Sequence, residues 1–458
     1  MNNLTSTIAA ISTPPGKGGV ALIRISGDDA IAIAEKCFIP KGKASLSECA
    51  PRTAVYGDVV FENEKIDDAM VTVFKSPASY TGEDTVEISC HGGILISRTV
   101  LEAVFAAGAV PATAGEFTRR AFMNGKISLS DAEAIGMLLE AKTHGQILLN
   151  SSNSRNRLSK KIDELHSTVI LLLSTMYAKI DYPDEDLADM TSDEIHSELN
   201  AIKSSLCSLA ESYKTGRAIN EGVRTVICGK PNVGKSTLYN TLCGGNYAIV
   251  SEYEGTTRDL LERTVSVGQV TLNLCDTAGI RDTDAPVEQI GISLSREKIA
   301  EAELIFATFD GSRELDEYDY ELIDTLKSSN AEVVAIINKG DLAQVIDREK
   351  IESSFENTVT LTASASADDL KKVVAGLFYD ERLTLGEDAI VSSARQYSSL
   401  VSAIGHIERA MDMLSNGYPF DIVSSDIEEC AISLSELDGR AVSEDIVSGI
   451  FSHFCVGK

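Results

Sequence analysis

The feature that most constrains this chain is the octet Gly229-Lys230-Pro231-Asn232-Val233-Gly234-Lys235-Ser236, which fits G-x-x-x-x-G-K-[ST]. The run Thr225-Val226-Ile227-Cys228 before it reads as a buried strand, and Thr237 to Leu242 after it as the opening of a helix. Strand, glycine loop and helix in that order are what a phosphate cradle requires. Gly229 and Gly234 let the backbone curl so that successive N–H groups converge, and the helix start adds partial positive charge. Asn232, Val233, Gly234, Lys235, Ser236 and Thr237 then line the phosphates. Lys235 neutralises the β- and γ-phosphates, and the Ser236 hydroxyl is placed for Mg2+.

Two further motifs follow in order. Val270 to Cys275 alternates as a strand and runs into Asp276-Thr277-Ala278-Gly279, a D-x-x-G in which an aspartate faces Mg2+ and a glycine amide faces the γ-phosphate. Leu304 to Asp310 and Val333 to Ile337 read as further core strands, the second leading into Asn338-Lys339-Gly340-Asp341, an N-K-x-D. A carboxylate at Asp341 can accept from guanine N1–H and from its exocyclic amine, which adenine does not offer, so GTP is selected over ATP. Three motifs, each at the C-terminal end of an apolar run, predict a guanine-nucleotide-binding domain on a doubly wound α/β sheet.

The length of 458 residues allows about three domains of ~150 residues. Basic residues number 41 against 69 acidic ones, a net charge of −28, which argues against a broadly basic nucleic-acid-binding surface. The nine cysteines include no C-x-x-C pair, which suits a reducing cytoplasm better than a disulfide framework or a zinc site. No stretch reaches ~18 uninterrupted apolar residues and the start lacks a signal-peptide pattern, so no integral membrane segment is expected.

Residues 1–118 carry strand-like runs at Thr7–Ser12, Gly19–Ile25, Met70–Phe74 and Thr85–Cys90, with helical patterns near Asp28–Cys37 and Gly93–Ala107, a small α/β domain. Residues 119–218 and 380–458 read as helical, with Ala132, Ile135, Leu138 and Leu139, and Leu165, Val169 and Leu172, at helical spacing. The economical arrangement is one helical domain split by a nucleotide domain at 219–379, since compact domains tolerate insertion where their cut ends lie close together.

The whole length resembles the MnmE (TrmE) family of tRNA-modifying GTPases. The resemblance rests on Thr7-Ile8-Ala9-Ala10 through Pro14-Pro15-Gly16-Lys17-Gly18-Gly19 to Arg24-Ile25-Ser26-Gly27, and on Tyr80-Thr81-Gly82-Glu83-Asp84 with His91-Gly92-Gly93. It continues in Gly115-Glu116-Phe117-Thr118-Arg119-Arg120-Ala121-Phe122 with Asn124-Gly125-Lys126, and in the terminal Phe454-Cys455-Val456-Gly457-Lys458. It implies a folate-binding α/β domain that accepts a 5-formyl- or methylene-tetrahydrofolate through Arg24, Glu87, Lys126 and Lys458. It also implies a homodimer joined through that domain, and a partner resembling MnmG that depends on FAD and NADH, in a heterotetramer or larger assembly. Together they would add a carboxymethylaminomethyl or aminomethyl group at carbon 5 of the wobble uridine of tRNAs, with GTP hydrolysis timing the cycle.

In the nucleotide domain Ile280 stands where Ras-like enzymes place the water-orienting glutamine. The resemblance assigns that task to Glu288, acting through a bridging water. It makes Asn232 the side-chain ligand of a K+ ion that offsets developing charge. Ser251, Glu252, Tyr253, Glu254 and Gly255 would form the loop over K+, with Ser251 and Tyr253 giving backbone carbonyls, Thr256 completing the site and Thr257 reaching Mg2+. The base-contacting S-A pair is either Thr362-Ala363 or Ser364-Ala365. Without the resemblance, Arg24 and Glu87 would read as solvent-facing strand residues and His91 as structural. Cys455 reads either as a small buried hydrophobe or as a tail thiol that a nearby cation could activate. Two other classes fit a guanine-nucleotide domain: a ribosome-assembly switch of the Era or Der type, and a GTP-regulated scaffold. Neither accounts for the folate-like segments.

Overall fold

The computed structural model describes residues 6–42, 45–181, 191–244, 263–275, 299–360 and 367–457. They fall into two compact units, one of residues 1–136 with 434–458 and one of residues 137–433.

In the first unit the chain forms β1 (Ile8–Ile11), β2 (Val20–Ser26), β3 (Phe38–Pro40), β4 (Ala54–Phe61), β5 (Glu64–Phe74), β6 (Thr85–His91) and β7 (Val110–Pro111). They make a seven-stranded sheet in the order β3-β4-β5-β6-β2-β1-β7. Alternation decides its faces: Ala21, Ile23 and Ile25 of β2 and Val86, Ile88 and Cys90 of β6 point to a core. That core is shared with helices Ala30–Cys37 and Ile94–Ala106. Arg24 and Glu87 are directly opposite one another across β2 and β6, on the other face. The end of the chain belongs to this unit. Helix Glu444–Ser452 packs Val447 and Phe451 on Leu129 and Ala132, and Val456 then bridges to Ala114.

In the second unit β8 (Val223–Cys228), β9 (Arg263–Val267), β10 (Val270–Leu274), β11 (Leu304–Asp310), β12 (Glu332–Asn338) and β13 (Asn357–Thr360) form a six-stranded sheet, ordered β13-β12-β11-β8-β10-β9. All neighbours are parallel except the β9–β10 hairpin. Every residue of β11 is buried, as a parallel strand covered on both faces must be. One face packs on helices Lys235–Gly244 and Ala367–Phe378, the other on helix Glu317–Lys327. The long helix Ser192–Asn220 packs on β10, and the long helices Arg157–Asp181 and Ala394–Ser415 pack on that helix. Ser192–Asn220 leads directly into β8, and its end is gripped by β10: Thr271 Oγ1 donates to the Ile219 carbonyl at 2.7 Å and Asn273 Nδ2 to the Glu221 carbonyl at 2.8 Å. The return crossing is adjacent, with Asp380 N–H donating to Thr215 Oγ1 at 2.9 Å.

Candidate functional site

β8 delivers the glycine loop at its C-terminal end, beside β11 and helix Lys235–Gly244. The loop turns through positive φ at Gly229 (137°), Asn232 (63°) and Gly234 (100°). A Cβ on Gly229 would lie 2.3 Å from the Thr308 carbonyl oxygen of β11, and one on Gly234 only 1.8 Å from Asn338 Nδ2. These are positions only glycine fills. Lys235 Nζ donates across the loop to the carbonyls of Gly229 at 2.8 Å and Lys230 at 2.6 Å, and burial lowers the pKa of its ammonium. Ser236 and Thr237 are exposed where the helix begins. A phosphate fits a cradle so shaped, and the Ser236 hydroxyl suits Mg2+.

The base end lies at the C-terminal end of β12. Asn338 Nδ2 donates to the Val233 carbonyl at 2.9 Å, tying the N-K-x-D segment to the phosphate loop. Lys339, itself at φ 57°, pairs through Nζ with Asp310 Oδ2 at 2.6 Å. Burial pushes the Asp310 carboxyl up, but its bonds from Lys339 and Ser312 outweigh this and hold it below the ordinary range. Asp341 is exposed. Sequence reasoning missed Asp310, although the signal was there: it ends an apolar run at the same sheet edge as the other motifs.

The structure thus gathers Asn232 to Thr237 with Asn338, Lys339 and Asp341. Ser251, Glu252, Tyr253, Glu254, Gly255, Thr256 and Thr257 lie outside the described residues, as do Asp276, Thr277, Ala278, Gly279, Glu288, Lys458 and both S-A pairs.

In the first unit Arg24 donates to Glu87 Oε1 from Nε at 3.0 Å, with Nη2 at 2.9 Å. Its guanidinium lies over two rings, 5.5 Å from the Tyr80 centroid and 5.6 Å from that of Phe117. The Tyr80 hydroxyl pairs with Thr118 Oγ1 at 2.9 Å, and Lys126 Nζ donates to the Pro77 carbonyl at 2.8 Å, on the loop that carries Tyr80. Helix Glu116–Met123, which carries Phe117, is anchored beneath by Arg120, whose side chain is 1% exposed and bonds Glu83 and Glu116. The tail meets the start of the same helix: Gly115 N–H reaches the Cys455 carbonyl at 3.4 Å, and Ser12 Oγ donates to the Gly457 carbonyl at 2.9 Å. Cys455 itself is exposed, so it is not a core thiol, in contrast to Cys37, Cys90, Cys228 and Cys430. Tyr80 and Phe117 stood in the quoted segments without a role. Their contact with Arg24 is long-range, and spacing along the chain does not reveal it. A guanidinium, a carboxylate and two rings form a donor set that suits a ligand with carboxylates, N–H donors and an aromatic system.

Comparison with known proteins bears on both units. A family model described as "GTP-binding protein TrmE N-terminus" matches residues 7–126, and one described as "MnmE helical domain" matches residues 129–455. A curated "tRNA modification GTPase MnmE" from Clostridioides difficile is 38% identical, over 99% of this chain and 100% of the relative. One from Thermoanaerobacter pseudethanolicus is 39% identical, over 99% of both. Among solved structures, the G domain of the T. maritima FeoB iron transporter is 22% identical, covering 34% of this chain and 99% of that one at a TM-score of 0.26, a likeness that carries no weight. With family models across both units and full-length relatives well above 30% identity, this chain belongs to the MnmE (TrmE) family of tRNA modification GTPases.

Proposed function

We propose that this chain is a K+-dependent GTPase of tRNA wobble-uridine modification, acting as a homodimer with a flavin- and NADH-dependent partner resembling MnmG, in the cytoplasm. Residues 219–379 would be the nucleotide domain, inserted into a helical domain of 119–218 and 380–458. The observation that carries the modification reading is that the exposed Cys455 tail and the Arg24–Glu87 pair with its two rings meet the same helix, Glu116–Met123, in one unit. A bare GTP-dependent switch has no use for that arrangement, so the ribosome-assembly alternative is not favoured.

In this reading Lys235 and the loop amides bind the phosphates, Ser236, Thr257 and Asp276 hold Mg2+, and Asp341 selects guanine. Glu288 orients the attacking water. Arg24, Lys126 and Lys458 bind folate carboxylates, while Glu87 accepts from ring N–H groups. A reduced folate bound there would supply the one-carbon unit. Cys455 would act as the nucleophilic or positioning thiol beside it.

The deciding experiment is mass spectrometry of tRNA nucleosides from cells lacking this chain. Loss of 5-substituted wobble uridines, restored by the intact protein and not by Cys455→Ser, is the expected result. Unchanged nucleosides would leave a GTPase without this pathway.

Asn232 offers an amide oxygen, a donor type that hard cations take. With K+ standing in for an arginine finger, hydrolysis is expected to run about tenfold or more faster in KCl than in NaCl at equal ionic strength. Equal rates would remove the potassium assignment.

A further inference from the structure

The second residue of the phosphate loop is held by a helix far along the chain. Lys230 Nζ forms an ion pair with Asp316, lies 3.8 Å from Asp319, and sits 5.2 Å over the ring of Tyr318. At its other end, the Lys230 carbonyl accepts from Lys235 Nζ at 2.6 Å. The acidic pair is itself firmly built. Asp316 Oδ1 caps helix Glu317–Lys327, accepting from the N–H groups of Tyr318 at 3.0 Å and Asp319 at 3.3 Å, and the Asp316 N–H donates back to Asp319 Oδ2 at 3.2 Å. Arg313 donates to both oxygens of Asp319, at 2.7 and 3.0 Å, so that this carboxylate, 2% exposed, is neutralised independently of Lys230. The same segment begins at Asp310, which holds Lys339 of the N-K-x-D. Gly311 N–H then donates to the Asn338 carbonyl at 3.0 Å.

We propose that Lys230 is a positioning residue for the nucleotide: through Asp316 it fixes the phosphate loop to the cap of helix Glu317–Lys327. Residues 310–319 thereby brace the phosphate loop and the base loop at one spacing. The Lys230 ammonium is directed at Asp316. A loop held in place before its ligand arrives loses less freedom on binding, so the brace favours any guanine nucleotide, whatever its phosphate count.

Two substitutions separate this from a general structural role. Asp316→Asn removes the charge and keeps the cap, because asparagine and aspartate cap about equally well. Lys230→Met removes the ammonium and keeps an apolar stem, with Arg313 Nη1 at 3.4 Å left to neutralise Asp316. Affinities would be measured in the full chain with fluorescent GDP and a fluorescent non-hydrolysable GTP analogue. Each single variant is expected to weaken both nucleotides about fivefold, the effect of one half-exposed charge-assisted hydrogen bond. The double variant should lose no more than either single one, and Lys230→Arg should restore binding. A loss confined to the triphosphate would make Lys230 a γ-phosphate ligand and overturn the proposal. Additive losses in the double variant, or unchanged affinity in Asp316→Asn, would overturn it too. Should melting show that Lys230→Met does not fold, Asp316→Asn and Lys230→Arg decide the matter alone.

Discussion

Alanine at position 234 is expected to weaken guanine-nucleotide binding at least ~100-fold, close to 3 kcal/mol, and to take GTP hydrolysis below detection. Two costs combine. The backbone at Gly234 sits at φ 100°, outside the regions an L-residue adopts, and holding a side chain there costs about 1–3 kcal/mol. The new methyl group would also stand 1.8 Å from Asn338 Nδ2, so that amide must leave the Val233 carbonyl it bonds at 2.9 Å. That bond ties the N-K-x-D to the phosphate loop, so its loss loosens both ends of the nucleotide site together. The lesion is nevertheless local, because Val233 stays buried and β8 keeps its pairings with β10 and β11. A titration with GDP beside a thermal melt therefore separates the two effects: binding collapses while the melting midpoint moves by a few degrees. Normal GDP affinity in the alanine variant would mean that the loop reaches its ligand geometry without this glycine.

The nucleotide sheet is legible in the sequence because strands buried in a parallel sheet read as largely apolar runs, and three of the four runs here lead into a motif. Thr225–Cys228, Val270–Cys275, Leu304–Asp310 and Val333–Ile337 correspond to β8, β10, β11 and β12 within a few residues. In the first unit β1, β2 and β6 are legible for a different reason: they pair antiparallel, and β2 and β6 alternate apolar residues toward one core face while β1 is a short apolar run. The hairpin of β4 and β5 is not, beyond the final Met70–Phe74. Its turn is Glu62-Asn63, both left-handed at φ 51° and 64°, and without the usual glycine it carries no turn signature. Charged residues at 58, 64, 65, 67 and 68 further mask the strands, because one side of this hairpin meets water.

At the sites the same distinction holds. Glycines, Lys235 and Asn338 are legible because their motif is contiguous. The Lys230–Asp316 and Arg24–Phe117 contacts join residues far apart in the chain, and only the fold brings them together.

Replacing Arg120 with methionine is expected to destabilise the first unit by about 3–5 kcal/mol, the cost of breaking a buried ion pair from one side. Arg120 is among the largest fully buried side chains of the protein. Its Nη1 lies 3.2 and 3.1 Å from the two oxygens of Glu83, and its Nη2 lies 3.0 Å from Glu116 Oε1. Glu83 also accepts from Ser26 Oγ at 2.8 Å, and Glu116 from the N–H and Oγ1 of Thr113 at 2.7 and 3.0 Å, so neither carboxylate can turn to water without breaking further bonds. Methionine matches the stem and leaves two like charges facing one another. At roughly 2–4 °C per kcal/mol for a unit of this size, the melting transition of the first unit should fall by about 10 °C. The folate affinity proposed for this unit should fall with it, because the helix that Arg120 anchors also carries Phe117 over Arg24 and receives the Cys455 tail at Gly115. The triple variant Arg120→Met, Glu83→Gln, Glu116→Gln removes the stranded charges and should recover part of the melting loss. Recovery of melting without recovery of folate binding would identify the triad as the support that aims Phe117. An unchanged melt in the single variant would mean that the two carboxylates are neutralised without Arg120.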